Sequence, residues 1–421
     1  MRLVIAAAVA MLLLAPASAG ASSNARFGVQ DDAWLMSGAG SLSQRIGTLQ
    51  HLGVGLVRFT LRWDKIAPSR PANPPDPADP AYQWTSFDAV LQGLHAAGIP
   101  ALVTLYGSPA WANGGHPANW LPTIAAIGDF AFAAAKRYPW VHMWTAWNEP
   151  DSRVFSVPVS PQLYVQRVLN PAYAGLHAAS NANLVAGGVT GPRRPPGGMS
   201  PLAFMQGMHA ARAHLDAYAQ NPYPVTPGET PFRTKCSACD TLTMAVLPSI
   251  RTDVTRLFGA KPLWLTEYGY QTNPPDPILG VAPALQAQYL GAAALRVWEQ
   301  PGVTVLIQFL VRDEPEVGGW QSGLLTAAGR PKLSYYAYPV PLAEVSRSGS
   351  NVTLWGQVRP GSGARPYALQ RTVGGRWVAI GATQRTGASG SFRRVVALPP
   401  GARVRIWAPR LGEASPPLTL T

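Results

Sequence analysis

Short apolar runs alternate with longer helix-like stretches through residues 25–340, and this alternation constrains the fold more than any other feature. The stretches between the runs, such as 86–99 and 123–138, carry apolar residues at helical spacing. The stretch 285–302 ends in Pro-Gly, which stops a helix before the next run. The strand-like runs are residues 26–32, 54–63, 99–107, 141–150, 182–191, 215–224, 262–271 and 303–313.

Eight strand-then-helix units in about 315 residues predict an α/β fold, a (β/α)8 TIM barrel over residues 20–340. A doubly wound open sheet is the alternative. Such a sheet usually has a Gly-rich phosphate-binding loop after an early strand, and residues 26–35 do not form one. The pattern therefore favours the barrel, in which functional residues stand at the C-terminal ends of the strands.

The character of the chain changes at about Val345. Short alternating runs follow, separated by Gly, Ser or Pro turns, and they predict a small antiparallel β-sandwich over residues 345–421. From Glu344 to the end there are eleven arginines, no lysine and two glutamates, a net charge of +9. Basic surfaces attract anionic polymers, so we expect an anionic cell-wall polymer as a partner of this accessory domain. The alternative is a spacer whose arginines only keep it soluble; no nucleic-acid-binding motif is found.

The first residues predict export. Residues 1–19 combine Arg2, an apolar run and a small-residue cleavage site, as in a secretory signal peptide. A membrane anchor is the alternative, but the run is short for a span, and we expect a secreted protein with no transmembrane segment after cleavage. The only cysteines, Cys236 and Cys239, are too few for a zinc site of about four ligands. A local disulfide is the favoured interpretation in an exported chain, and no metal site is predicted.

Two glutamates stand at matching strand ends. Glu149 closes the fourth run and Glu267 closes the seventh, so in a barrel they face each other across the mouth. Two carboxylates on opposite walls of a cleft suit cleavage of a glycosidic bond, because one protonates the leaving oxygen while the other attacks or activates water. Other acids also follow strands and could contact sugar hydroxyls or be solvated loop residues. They are Asp31, Asp32, Asp313 and Glu314.

The motifs around both glutamates resemble a known group. "WNEP" (147–150) at the fourth strand and "TEYG" (266–269) at the seventh resemble the acid/base and nucleophile motifs of clan A glycoside hydrolases, with families 5 and 39 as the nearest patterns. Further similarity runs from "VRFTLRWDKIAP" (57–68) to "GLLTAAGRPKLSYYAY" (323–338). The resemblance implies a retaining glycoside hydrolase that needs no cofactor and acts on a polysaccharide or oligosaccharide. Glu149 would be its acid/base and Glu267 its nucleophile.

The same resemblance implies roles for further residues. Arg58 corresponds to the arginine of the second strand, and Tyr223, in "NPYP", to a tyrosine that orients the nucleophile. Asn148 would hold the 2-hydroxyl of the reacting sugar, and Trp111, in "SPAWA", would stack on a sugar ring. Asn221 stands where the group usually has histidine, within the sugar-binding subsite.

The eighth run departs from the group in a second way. It lacks the tryptophan that commonly forms the bottom of the sugar-binding site in this group, and Gln308 or Phe309 takes that position. Two alternatives to a hydrolase stay open. A non-catalytic carbohydrate-binding or cell-wall protein could use the same barrel, although it would not need both carboxylates. A transglycosylase would share the glycosyl-enzyme intermediate with a hydrolase, so the sequence does not separate the two.

Overall fold

The computed structural model describes residues 24–234 and 240–421. The predicted signal peptide, residues 1–19, and the cysteines Cys236 and Cys239 lie outside the described residues, so both predictions stay predictions. Within the described ranges, no helix is long and apolar enough to cross a membrane.

In the described part of the chain, eight parallel strands close into a barrel in sequence order, which confirms the predicted fold class. Each strand pairs with the next one along the chain, and the first pairs with the eighth. The strands are β1 (Arg26–Gln30), β2 (Leu56–Arg62), β3 (Ala101–Tyr106), β4 (Met143–Ala146), β5 (Leu184–Thr190), β6 (Ala217–Gln220), β7 (Leu263–Tyr268) and β8 (Val303–Phe309).

Helices follow the strands and surround the barrel. A π-helical segment, Val165–Leu169, joins α7 to α8, and a short 3-10 turn, Met244–Val246, precedes α10. The helices are α1 (Asp32–Ser37), α2 (Leu42–His51), α3 (Trp63–Ile66), α4 (Thr85–Ala96), α5 (Ala110–Asn113), α6 (Ile127–Arg137), α7 (Pro161–Tyr164), α8 (Asn170–Ala179), α9 (Pro201–Ala210), α10 (Leu247–Phe258), α11 (Pro283–Trp298) and α12 (Leu333–Ala337).

Strand alternation decides which side chains enter the barrel. In β2, Val57, Phe59 and Leu61 belong to the core between strands and helices, whereas Leu56 belongs to the separate core inside the barrel. Because side chains alternate between the two faces of a strand, Arg58 points inward with Leu56. A charged residue inside a barrel needs buried partners, and the partners of Arg58 form the functional site described below.

The C-terminal region folds as two antiparallel sheets, as predicted. Strands β9, β10 and β14 form the sheet nearer the barrel, here called the inner sheet; β11, β12, β13, β15, β16 and β17 form the outer sheet. The strands are β9 (Leu342–Ser348), β10 (Asn351–Gln357), β11 (Pro366–Val373), β12 (Arg376–Ala379), β13 (Gln384–Arg385), β14 (Ser391–Ala397), β15 (Arg403–Ala408), β16 (Glu413–Ala414) and β17 (Leu418–Thr419).

The inner sheet shares a core with the barrel. Trp355 of β10 is fully buried in the core cluster of the barrel and its ring lies 6.1 Å from that of Trp298. Arg359, which follows β10, is buried with its guanidinium 4.4 Å from the ring of Phe27 in β1 and 4.1 Å from that of Tyr338. Cation–π contacts of this kind are stronger when the cation is removed from water. The two domains are therefore joined by packed side chains as well as by the chain.

Candidate active site

The segment after β4 has an unusual backbone at two residues, Trp147 and Glu149. Trp147 has φ 77° and Glu149 has φ 36°, left-handed values that cost a residue with a Cβ on the order of 1–3 kcal/mol each. Three hydrogen bonds hold this conformation. The N–H of Trp147 donates to the carbonyl of Leu105 at 2.8 Å and that of Glu149 donates to Val189 at 2.9 Å, while the Trp147 indole donates to Phe155 at 2.8 Å.

Glu267 is the penultimate residue of β7, and its carboxylate is bound on both oxygens. Arg58 donates to Oε1, and the hydroxyl of Tyr223 donates to Oε2 at 3.0 Å. Burial, followed by the charge of Glu267, raises the pKa of Tyr223, so the phenol keeps its proton and remains a donor. An arginine and a tyrosine thus fix the orientation of the carboxylate, and the roles expected for Arg58 and Tyr223 in catalysis stay predictions.

Arg58 connects Glu267 to the other side of the barrel. Its Nε donates to Thr104 at 2.9 Å, its Nη1 to Gln30 at 2.7 Å, and its Nη2 to the side-chain oxygen of Asn148 at 2.9 Å. The guanidinium is fully buried, and each of these bonds offsets part of the cost of removing the charge from water. One arginine therefore positions both the proposed nucleophile and Asn148.

Asn221 bridges the two glutamate-bearing strands. Its side-chain nitrogen donates to Oε1 of Glu149 at 3.0 Å, and its oxygen accepts a bond from the Thr266 hydroxyl at 2.8 Å. The sequence located Asn221 in the sugar subsite, and the structure adds a contact with Glu149. This amide N–H can donate to Glu149 in either protonation state, because both an ionised carboxylate and the carbonyl oxygen of a protonated carboxyl group accept a hydrogen bond.

The surroundings of Glu149 favour its protonated form. Burial, followed by the charges of Glu267 and Asp151, raises the pKa of Glu149 to about 8. A carboxyl group with such a pKa holds its proton at neutral pH and can donate it to a leaving oxygen. The site therefore contains one carboxyl group that holds its proton at neutral pH and one that forms an ion pair with arginine.

Asp151 belongs to this site, and the sequence analysis did not select it. Its two oxygens accept the N–H of Gly191 at 3.1 and 3.2 Å, and it is fully buried. Burial raises the pKa of Asp151 to about 7. The carboxyl of Glu149 lies beside the same Gly191, so the charge of Asp151 acts on Glu149 at short range. The signal available in the sequence was only a second acid directly after Asn-Glu-Pro.

A cavity of about 210 Å³ opens over these groups. Its lining includes Glu149, Asp151, Tyr223 and the ring of Trp320, which lies 4.8 Å from that of Tyr223. The Trp320 side chain is partly exposed, so the cavity wall includes a flat apolar surface. The sequence left open whether Trp320 binds sugar or packs in the core, because a tryptophan in a loop after β8 has no distinctive spacing.

Trp111 lies elsewhere. It is part of α5, its indole donates to the carbonyl of Ala67 at 2.8 Å, and its ring packs edge-on against that of Trp63 at 5.6 Å. It is not among the residues that line the cavity over Glu149. Its predicted role as a stacking surface for a sugar ring stays a prediction.

The end of β8 supplies aromatic surface without a tryptophan of its own. Phe309 packs edge-on against Trp320 at 5.4 Å and against Tyr223 at 6.2 Å. The neighbouring Gln308 donates to the carbonyl of Ser322 at 2.8 Å. Of the two residues that could take the position of the group's tryptophan, Phe309 is thus the one that packs against the more distant Trp320.

Two of the other acids at strand ends, Asp31 and Asp313, hold loops together. Asp31 accepts the N–H of Trp34 and that of Arg312, both at 3.0 Å. Asp313 forms a buried ion pair with Lys332 at 2.7 Å. These carboxylates join the loop after β8 to the start and end of the barrel domain, which favours the structural interpretation of both.

The architecture is that of known glycoside hydrolases. A monomeric β-xylosidase from Caulobacter crescentus CB15 matches with a TM-score of 0.60 at 16% identity, over 95% of this chain and 98% of that chain. A glucosidase from Croceicoccus marinus matches with a TM-score of 0.60 at 14% identity, over 93% and 96%. A family 39 glycoside hydrolase from Bacteroides cellulosilyticus WH2 matches with a TM-score of 0.59 at 15% identity, over 89% and 81%.

These similarities establish the fold. They extend over both the barrel and the C-terminal sheets, and they confirm, at the level of architecture, the resemblance to clan A glycoside hydrolases. No protein-family model and no curated protein matches the sequence.

Proposed function

We propose that the protein is a retaining glycoside hydrolase that cleaves O-glycosidic bonds of a polysaccharide or oligosaccharide. The observation that carries this proposal is the asymmetry of the two glutamates. Glu267 is bound by Arg58 and Tyr223, whereas Glu149 has a pKa raised to about 8. A charged carboxylate beside a protonated one is the arrangement that double displacement requires.

The reaction follows from these two states. The Glu267 carboxylate attacks the anomeric carbon, the bond to the leaving oxygen breaks, and Glu149 transfers its proton to that oxygen. The products are an alcohol and a glycosyl ester on Glu267. Glu149, now ionised, then removes a proton from water as the water attacks the anomeric carbon. The ester bond breaks, and a sugar with the original configuration leaves.

Neighbouring residues orient the sugar in this scheme. Asn148, held by Arg58 at 2.9 Å, is positioned to bind the 2-hydroxyl, a contact that strengthens in the transition state. Trp320 offers a stacking surface at the cavity wall. The neighbours with matching architecture include a β-xylosidase and a glucosidase, so aryl β-xylosides and β-glucosides are the first substrates to test.

The stereochemistry of the product tests the mechanism. We expect NMR spectroscopy of an aryl β-xyloside or β-glucoside digest to show the β-sugar first, with the α-sugar appearing later through mutarotation. This outcome requires the carboxyl groups of Glu149 and Glu267 to lie about 5–5.5 Å apart. If the α-sugar appears first, the reaction inverts and has no glycosyl ester. If a sugar acceptor captures most of the product, the protein is a transglycosylase.

The proposal includes export. It is supported by the signal-like residues 1–19, and the basic C-terminal domain supports retention at an anionic cell wall. We expect N-terminal sequencing of chain recovered from the culture medium or cell wall to begin at Gly20. Chain that stays in the cells with its first residues intact would contradict export.

A further inference from the structure

One face of the outer sheet is turned away from the rest of the protein. The inner sheet lies between it and the barrel: Val352 and Leu354 of β10 pack into the core shared by the two sheets, while Trp355 packs into the core of the barrel. Helix α11 contacts β9 and β10 on that side. Strand β10 of the inner sheet is therefore covered on both faces, and the outer sheet has one face directed away from the barrel.

The strand register shows which residues occupy the solvent face. Leu369 of β11 and Ile406 of β15 are paired and both belong to the core between the sheets. Because side chains alternate, the neighbouring pairs lie on the opposite face of the sheet. Those pairs join Gln370 to Arg405, Ala368 to Trp407 and Thr372 to Trp377. We call Gln370, Trp377, Arg405 and Trp407 the Trp–Arg face.

The arginine of this face is held in a fixed orientation. The guanidinium of Arg405 lies 4.4 Å from the ring centroid of Trp377, and its Nε donates to the side-chain oxygen of Gln370 at 2.7 Å. Among the described residues, no carboxylate forms an ion pair with Arg405. Its two Nη groups thus present a planar fork, the geometry that matches a carboxylate.

Two indoles flank this fork. Trp377 lies on β12 and Trp407 lies two residues beyond Arg405 on β15, and both side chains are partly exposed. An indole is a flat apolar surface with one polar edge, and half-exposed tryptophans on the solvent side of a sheet are characteristic of binding surfaces. The apolar faces of sugar rings can stack on such surfaces while their hydroxyls stay in water.

The two acids of the C-terminal region are too few to balance its eleven arginines. Its two acids have partners elsewhere: Glu344 accepts bonds from Thr421 and lies near Arg347, and Glu413 binds His51 of the barrel domain at 2.9 Å. The arginine excess of the C-terminal region therefore favours a negatively charged ligand.

We propose that the Trp–Arg face binds an acidic polysaccharide, with sugar rings stacked on Trp377 and Trp407 and a ring carboxylate held by Arg405. The choice of a polysaccharide over a single-stranded nucleic acid, which also stacks on aromatic side chains beside arginine, rests on the proposed function of the barrel. The face would keep the enzyme on the material that contains its substrate.

Affinity electrophoresis of the full chain in gels containing polygalacturonate tests this proposal, with fully methyl-esterified pectin and oligo(dT) as comparison ligands. We expect Arg405→Gln to weaken polygalacturonate binding about tenfold or more, because a charge-assisted contact is lost. Arg405→Lys keeps the charge but not the fork and should lose most of the same affinity. Trp377→Ala and Trp407→Ala should weaken binding to both the charged and the esterified polymer.

Arg393→Gln is the matched control, because it removes one exposed arginine from β14 of the inner sheet. It should change affinity less than about threefold. Equal losses in Arg405→Gln and Arg393→Gln would overturn the proposal in favour of diffuse charge attraction. Tighter binding of oligo(dT) than of polygalacturonate would overturn it in favour of a nucleic acid.

Turnover of an aryl glycoside separates this inference from the proposed function. Arg405→Gln and Arg405→Lys should turn over a soluble aryl glycoside at the wild-type rate, with unchanged thermal unfolding. A wild-type protein that binds polygalacturonate but hydrolyses no glycoside would contradict the proposed function alone. A protein that hydrolyses glycosides but binds polygalacturonate no better than its Arg405 variants would contradict the binding face alone.

Discussion

Replacement of Glu267 by alanine will reduce turnover of an aryl β-glycoside by about 10⁴-fold or more, because the group that forms the covalent intermediate is removed. Sodium azide will restore part of the activity. The azide ion can occupy the space left by the carboxylate, attack the anomeric carbon and displace the aryl alcohol, while Glu149 supplies the proton. The product will be a glycosyl azide of α configuration, which NMR spectroscopy identifies.

The control for this experiment is Glu316→Ala, which removes an exposed carboxylate from the loop after β8. That variant should retain wild-type turnover and show no response to azide. A Glu267→Ala protein with near wild-type turnover would exclude Glu267 as the nucleophile. A rescued product of β configuration would show that azide does not replace the carboxylate on its own side of the sugar.

Replacement of Glu149 by alanine will have an effect that depends on the leaving group. Natural glycosides need a proton on the leaving oxygen, so their hydrolysis should fall by about 10²–10⁴-fold. The dinitrophenolate of a dinitrophenyl glycoside leaves without needing a proton. The Glu149→Ala protein should therefore form the glycosyl ester from this substrate at a largely preserved rate. The measurement is pre-steady-state release of dinitrophenol compared with steady-state cleavage of an alkyl glycoside.

The pH dependence provides a second measurement on Glu149. Its pKa is raised to about 8, so the residue is protonated below that pH and loses its proton above it. Because the acid form is required, kcat/KM of the wild-type protein should fall as the pH rises through about 8. Glu149→Ala should lose this basic limb. Two results would contradict the assignment of Glu149 as the acid. One is an equal loss of rate on alkyl and dinitrophenyl glycosides in Glu149→Ala, and the other is a pH profile of that variant with an unchanged basic limb.

The barrel and its glutamate pair were accessible from the sequence because each depends on local patterns. Alternation of strand and helix predicted the architecture, and the position of Glu149 and Glu267 at strand ends placed them at the same face. Arg58 and Tyr223 were also predicted, and the structure joins both to Glu267.

The rest of the site depends on contacts between loops. Loop sequences lack the regular spacing of apolar residues that identifies helices and strands. Asp151 contacts Gly191 only because the segments after β4 and β5 meet. Trp320 reaches the cavity from a loop far along the chain, whereas Trp111, which resembled a sugar-stacking residue, packs on Trp63. Sequence spacing identifies which strand end a residue follows, but the path of the loop decides what its side chain meets.

The contact of Arg359 with Phe27 also constrains how the protein is made. Phe27 is one of the first described residues of the chain, and Arg359 lies in the last third of the chain. The buried guanidinium of Arg359 nevertheless contacts the rings of both Phe27 and Tyr338. A ribosome releases the N-terminus first, so all strands of the barrel are synthesised before Trp355 and Arg359, which pack against the barrel. Until β10 emerges, the surface that later receives Trp355 stays open to water. The nascent chain therefore reaches its final packing only after translation has passed the second domain.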